Sequence, residues 1–126
     1  MDSYRFIVLI TIFLLGVPLR VGAEGNAQRG LAIYQNKCAT CHSIDYNGVG
    51  PAHRGLFGRK AGTQADFNYS DALKGVNFIW DEKKLNQWLT NPEKMVPGQK
   101  MGFSVASPKE RADLIAYLKI ATTKND

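Results

Sequence analysis

Cysteine is scarce in this chain: its 126 residues hold two, Cys38 and Cys41. That excludes a scaffold stapled by several disulfides and a zinc site built from four thiolates. Histidine is as rare, with His42 and His53 alone, and beyond Met1 the methionines are Met95 and Met101. No apolar run after the N-terminal segment approaches the roughly 20 residues that cross a bilayer. Internal repeats and low-complexity stretches are missing, which excludes a solenoid. No segment sustains the alternation of a half-buried strand. Nor does any spacing assemble an acid, a base and a nucleophile, which speaks against an enzyme.

The one apolar run, residues 6–17, spans 12 residues, follows Arg5 and precedes Val21-Gly22-Ala23, the small residues of a cleavage site. It is too short for a membrane anchor. Residues 1–23 therefore read as a secretory signal peptide cut after about Ala23, and 24–126 as one small domain. The expected location is periplasmic, and the processed chain is not an integral membrane protein. The whole chain carries 16 Lys+Arg against 11 Asp+Glu; without Arg5, Arg20 and Asp2 the balance is 14 against 10, a formal +4. A basic surface meets nucleic acid, anionic lipid or an acidic protein. For an exported chain, nucleic acid is the poorest of these.

The two cysteines stand in Cys38-Ala39-Thr40-Cys41-His42. Two thiols three apart, followed at once by histidine, form the attachment pattern of a c-type haem. Each thiol adds to one vinyl group, and the adjacent imidazole supplies an axial ligand to the iron. Competing readings explain less. A zinc half-site needs two further ligands, and His42 and His53 are the only histidines. A thioredoxin-like redox pair wants a βαβ context that is missing. A disulfide across two residues leaves the histidine unaccounted for. Haem is attached outside the cytoplasm, so the motif and the export signal, read independently, agree.

Element signals point to an all-α chain. Ala27, Gly30, Leu31, Tyr34 and Cys38 recur at helical spacing, predicting a helix over about 26–37 that delivers the chain to the haem motif. Gly30 within it costs about 1 kcal/mol against alanine, which close approach of another element would explain. Six glycines and prolines between 48 and 62 predict loop over 43–69. Val49, Leu56, Phe57, Phe67 and Tyr69 are too apolar for a flexible linker and suit a loop wrapped over a cofactor. Ser70 caps a short helix to Lys74, and Asp81 caps another over 82–90 with Leu85, Trp88 and Leu89 as its apolar stripe. Asn91-Pro92 interrupts it, and Pro97-Gly98 turns the chain. Ser107-Pro108-Lys109-Glu110 is a capping box opening a helix to about Thr122, with Leu114, Tyr117, Leu118 and Ala121 on its buried face.

A second iron ligand is drawn from Met101, Met95, His53 or none. Met101 is flanked by Gly98 and Gly102, which let backbone approach a flat ring. Met95 lies in a Pro92-Glu93-Lys94 turn suited to packing. Chemistry favours Met101 and leaves the others open.

The stretches KCATCHS, GVGPAHRGLFGRKAG, FNYSDALK, WLTNPEKMVPGQKMGF and ERADLIAYLKIAT, with Trp80, resemble class I cytochrome c over essentially all of 25–122. The resemblance implies that fold and a soluble monohaem electron carrier with Met101 as sixth ligand. It further implies that Pro51 presents a carbonyl to the axial histidine, that Tyr69 and Trp80 bond a buried propionate with Arg59 nearby, and that Trp88 lies beside the methionine. Lys37, Lys94 and Lys100 match a docking ring that steers toward acidic redox partners, with Lys60, Lys74 and Lys109 weaker matches. Implied partners are a quinol-cytochrome c oxidoreductase, a terminal oxidase, a reaction centre or a periplasmic dehydrogenase, met by a monomer. Departures are His53 for leucine, Gln99 for threonine, Leu73 for asparagine and Glu93 for lysine.

Overall fold

Side-chain caps decide where the helices begin. The computed structural model describes residues 24–124, so the secretory signal expected over 1–23 lies outside the described residues. Asn26 accepts from the Arg29 amide and opens α1, Ala27–Lys37. Ser70 does the same for α2, Asp71–Lys74, and Asp81 for α3, Glu82–Thr90. Asn91 closes α3 and, accepting from the Lys94 amide, opens α4, Pro92–Met95, with proline in the first turn where its missing N–H is harmless. Ser107 accepts from the Glu110 amide to open α5, Pro108–Ala121. Among the described residues no strand forms; an isolated antiparallel bridge joins Lys60 and Ile79. The expected all-α architecture is the observed one.

The core forms where α1 crosses α5. A Cβ on Gly30 would lie 2.0 Å from the Asp113 carbonyl oxygen and 2.7 Å from the Tyr117 Cβ. Only glycine permits this approach, which accounts for its presence in a helix that its propensity disfavours. Tyr34 then packs on Tyr117, ring centroids 5.3 Å apart. Leu114 and Leu118 are almost wholly buried, at 1% and 4% exposure, each contributing about 1.5–3 kcal/mol of hydrophobic stabilisation.

The buried faces differ from the periodic reading in detail. Leu31, expected on the inner face of α1, is exposed, while Ile33 packs against the core. On α5, Ile115, Asp113 and Arg111 are buried, whereas Tyr117 and Ala121 are half-buried. The polar pair is inside because it is fully engaged. Arg111 Nη1 donates to the Val105 and Ala106 carbonyls at 2.7 and 2.8 Å, and its Nε donates to Asn86 Oδ1 at 2.9 Å. Arg111 thereby ties α5 to α3 and to the segment between them. Asp113 accepts from the Asn26 amide at 2.6 Å, from Arg29 Nε at 2.7 Å and from Lys109 Nζ at 3.3 Å. It joins the start of α1 to α5.

The Arg29 hydrogen bond, then the Asn26 amide, hold the Asp113 carboxyl far below its usual range against the opposing effect of desolvation. A depressed folded-state pKa means a contribution to stability that is whole above the ordinary carboxylate range, near 4, and lost as pH falls below it. Asp113→Asn is therefore expected to melt below the parent at pH 7. Thermal melts in series should show that gap narrowing from about pH 4 downward; a gap independent of pH would contradict the linkage.

Between α1 and α2 the chain is irregular yet closely tied. The Gly50 amide donates to the Cys41 carbonyl at 2.7 Å, His53 to Ser43 at 3.0 Å and Gly55 to Thr122 at 2.6 Å. Leu56 and Tyr69 are buried as expected of a wrapped loop, whereas Val49 is 80% exposed.

Candidate functional site

α1 does not stop at Lys37 so much as tighten into a turn. The Cys38 amide donates to the Tyr34 carbonyl at 2.8 Å, and the Cys41 and His42 amides both donate to the Cys38 carbonyl, at 3.0 and 2.9 Å. One turn therefore gathers Cys38, Cys41 and His42 at the wall of a mostly apolar cavity of about 820 Å³. That volume lies toward the upper end of the ~300–1,000 Å³ typical of small-molecule and cofactor sites. Both thiols are free. Burial pushes the Cys38 thiol up to about 11, with Lys37 opposing. Cys38 is thus a poor thiolate nucleophile, unlike the reactive thiol of a redox enzyme.

His42 is fixed by what surrounds it. Its Nδ1 lies 2.8 Å from the Pro51 carbonyl oxygen. A carbonyl only accepts, so Nδ1 carries the hydrogen and Nε2 keeps its lone pair for a ligand. Burial lowers the imidazole pKa, and the Pro51 bond opposes this only in part. A Cβ on Gly50 would fall 2.2 Å from His42 Cε1, so the glycine is required for backbone to lie against the ring. His53 stacks on His42 with centroids 4.2 Å apart and planes 20° apart. Its pKa is lowered to about 3, chiefly by burial and then by His42 and Arg59.

Met101 lines the same cavity, as do Trp80, Trp88, Tyr69, Pro51 and Arg59. Met95 packs against the core cluster from α4 and is not among the lining residues. Trp88 on α3 and Trp80 before it meet edge to face, centroids 5.6 Å apart. The polar wall is incompletely satisfied. Arg59 donates to the Arg54 carbonyl at 3.0 Å, the Ala52 carbonyl at 3.1 Å and the side chain of Gln64, but its Nε is buried without a partner. Tyr69 Oη accepts from the Gln64 amide at 3.1 Å, which leaves its own hydroxyl hydrogen to donate. Two donors lining one mostly apolar cavity call for an anionic oxygen acceptor, since a buried orphan donor costs about 1–3 kcal/mol.

These features fit a covalently attached haem. Two thiols in one turn suit two vinyl groups, a neutral imidazole with a free Nε2 and a thioether suit low-spin iron, and the Arg59 and Tyr69 donors suit a carboxylate of the ring.

Sequence reasoning passed over the support of the Met101 segment. Glu93 Oε1 accepts from the Gly98 amide at 3.0 Å and Oε2 from Gln99 Nε2 at 3.2 Å; Gln99 Oε1 then accepts from the Met101 amide at 2.5 Å. Glu93 and Gln99, noted only as departures from a pattern, form a clasp between α4 and Met101. No local signal marks such a pairing, because it depends on how the Pro97-Gly98 turn folds back. Glu93→Ala is expected to speed hydrogen exchange at the Met101 amide about tenfold, from two exposed hydrogen bonds of about 0.5–1.5 kcal/mol each. Unchanged exchange there would show that the clasp does not hold the segment.

The docking lysines divide. Lys37 Nζ is 2.7 Å from Glu110 Oε2, so its charge is partly spent within the protein. Among the described residues Lys94 and Lys100 have no acidic partner, both are exposed, and Lys100 lies at the cavity.

A family model described as cytochrome c matches residues 27–122. The chain is 47% identical to the cytochrome c of Sesamum indicum over 102 residues, covering 78% of this chain and 92% of that protein. It is 49% identical to the cytochrome c of Chlamydomonas reinhardtii over 102 residues, 78% of this chain and 91% of the other. Among solved structures it is similar to cytochrome cH from Methylobacterium extorquens, with TM-score 0.73 and 44% identity, over 76% of this chain and 99% of that one.

Proposed function

Because this chain belongs to the cytochrome c family, with the class I fold and one covalently bound haem c, we propose that Cys38 and Cys41 hold the haem and that His42 and Met101 ligate its iron. It is an electron-transfer protein, not an enzyme. The observation that carries the residue assignment is the single turn holding both thiols beside an imidazole whose Nδ1 is committed to Pro51, 2.8 Å away. The bound haem supplies one-electron exchange between Fe(III) and Fe(II).

The polypeptide does the rest. Pro51 sets the tautomer and strengthens His42 as a donor. Tyr69 and Trp80 would offer hydrogen bonds to a propionate with Arg59 nearby, and Trp88, beside Met101, would help exclude water from the cavity. The Glu93–Gln99 clasp keeps Met101 in place. With His42 and Met101 both held for the iron, the site would offer a substrate no free coordination position.

Digestion of the mature protein with trypsin, followed by mass spectrometry, tests the attachment. The 38–54 peptide should carry the mass of one haem. A bare peptide from cells competent in haem attachment would refute the assignment.

The proposal extends to location and partners. The apolar run over 6–17 and the small residues at 21–23 support export to the periplasm, and the processed protein is proposed to act as a soluble monomer. Partners are membrane or periplasmic redox proteins with acidic docking surfaces: a quinol-cytochrome c oxidoreductase, a terminal oxidase, a reaction centre or a periplasmic dehydrogenase. Lys94 and Lys100 supply steering, Lys37 less because Glu110 shares its charge. Stopped-flow rates with an acidic partner should fall as ionic strength rises. Lys94→Glu with Lys100→Glu should slow association about tenfold at low salt and flatten that dependence. Rates indifferent to salt would exclude steering.

A further inference from the structure

We propose that His53 is a positioning residue for the iron-ligating imidazole: stacked on His42 and anchored by Tyr34, it sets the plane in which His42 is presented. The inference rests on the assignment of His42 as a ligand.

A single hydrogen bond does not fix a ring. The Pro51 carbonyl restrains one atom of His42, Nδ1, and leaves the imidazole free to rock about that contact. Gly50 backbone lies against the Cε1 side. The flat face is covered by His53, 4.2 Å away between centroids and within 20° of parallel. A plate parallel to the ring resists the rocking that the hydrogen bond allows.

His53 is in turn held. Its Nδ1 lies 3.0 Å from Tyr34 Oη, and the Tyr34 ring stands 67° to it at 5.7 Å. Its amide donates to the Ser43 carbonyl at 3.0 Å, directly after the haem motif. Tyr34 is 5% exposed on α1 and packs on Tyr117 of α5. The orientation of His42 is thus referred, through His53 and Tyr34, to the α1–α5 crossing. Tyr34, which packs at that crossing, has a second task.

An aliphatic side chain would fill the space at 53 but would not match a parallel aromatic face or hydrogen-bond with Tyr34. Neither ring need change protonation for this role, since it follows from shape and from one hydrogen bond.

The test uses the mature haem-loaded protein and its variants His53→Leu, His53→Phe and Tyr34→Phe. The orientation of an axial imidazole governs how unpaired spin is spread over the ferric ring, so the readout is the set of hyperfine-shifted haem methyl resonances in the oxidised protein. A residue that merely fills volume leaves that pattern alone. His53→Leu is expected to redistribute the methyl shifts and move the midpoint potential, while the methionine–iron band and helical content are retained. His53→Phe, which restores a flat ring, should return most of the parental pattern, and Tyr34→Phe should fall between.

Methyl shifts in His53→Leu superposable on the parent's would overturn the proposal. Should His53→Leu yield no folded holoprotein, Tyr34→Phe decides, and an unaltered pattern there overturns it equally. A parent whose iron carries no imidazole fails the ligand assignment and this inference together. A His42-ligated parent with unmoved variants fails this inference alone.

Discussion

Met101→Ala is expected to lower the reduction potential by on the order of 100 mV or more, within the ~0.8 V range that axial ligation commands, and to abolish the methionine–iron charge-transfer band. A thioether is a soft donor that favours ferrous iron, so its loss stabilises the oxidised state. Water or an adventitious base would take its place, and the protein should gain affinity for small exogenous ligands. No other methionine can substitute. Met95 packs from α4 against the core and does not line the cavity that Met101 lines. Met95→Ala is the control, expected to lose some stability and to keep the spectrum. Absorbance and midpoint potential unmoved in Met101→Ala would show the assignment to be wrong.

The variant lacking both thiols, Cys38→Ala with Cys41→Ala, is expected to lose covalent haem and with it the fold. The cavity measures about 820 Å³. Emptied, that volume leaves its mostly apolar walls, Leu85, Leu89, Leu114 and Leu118 among them, without the packing partner the haem would supply, and unfilled core volume is costly. A single domain has only about 5–15 kcal/mol of stability in total. The helices alone offer little resistance: α2 and α4 are four residues each, and the longest among the described residues, α5, has 14. Circular dichroism of the double variant should therefore show largely unfolded chain, and noncovalent haem should restore helix in part. A cooperative melt without haem, near that of the parent, would refute this dependence.

Helix boundaries were legible because they are local. Asn26, Ser70, Asp81 and Ser107 each cap a helix in the structure, and the motif residues 38–42 form one turn. Such signals need only the neighbouring three or four residues. Inner faces were less legible. Leu31 is outside because the α1–α5 contact centres on Gly30 and Tyr34, and periodicity cannot say where a partner helix lies. Asp113 and Arg111 are inside because partners distant in sequence satisfy them, Asn26 and Arg29 for one, Asn86 and the 105–106 carbonyls for the other. Val49, which its sequence places in a wrapped segment, is 80% exposed in the polypeptide alone yet lines the cavity.

In the site the division is the same. Sequence determined the haem motif, the candidate ligands and the all-α class, because thiol spacing, side-chain chemistry and capping are properties of short segments. Tertiary structure decided which methionine lines the cavity, that Lys37 is engaged by Glu110, that Glu93 and Gln99 clasp the Met101 segment and that His53 lies flat on His42. Each of these contacts joins groups whose relative position is set by packing of the whole chain, and no short stretch of residues encodes that geometry.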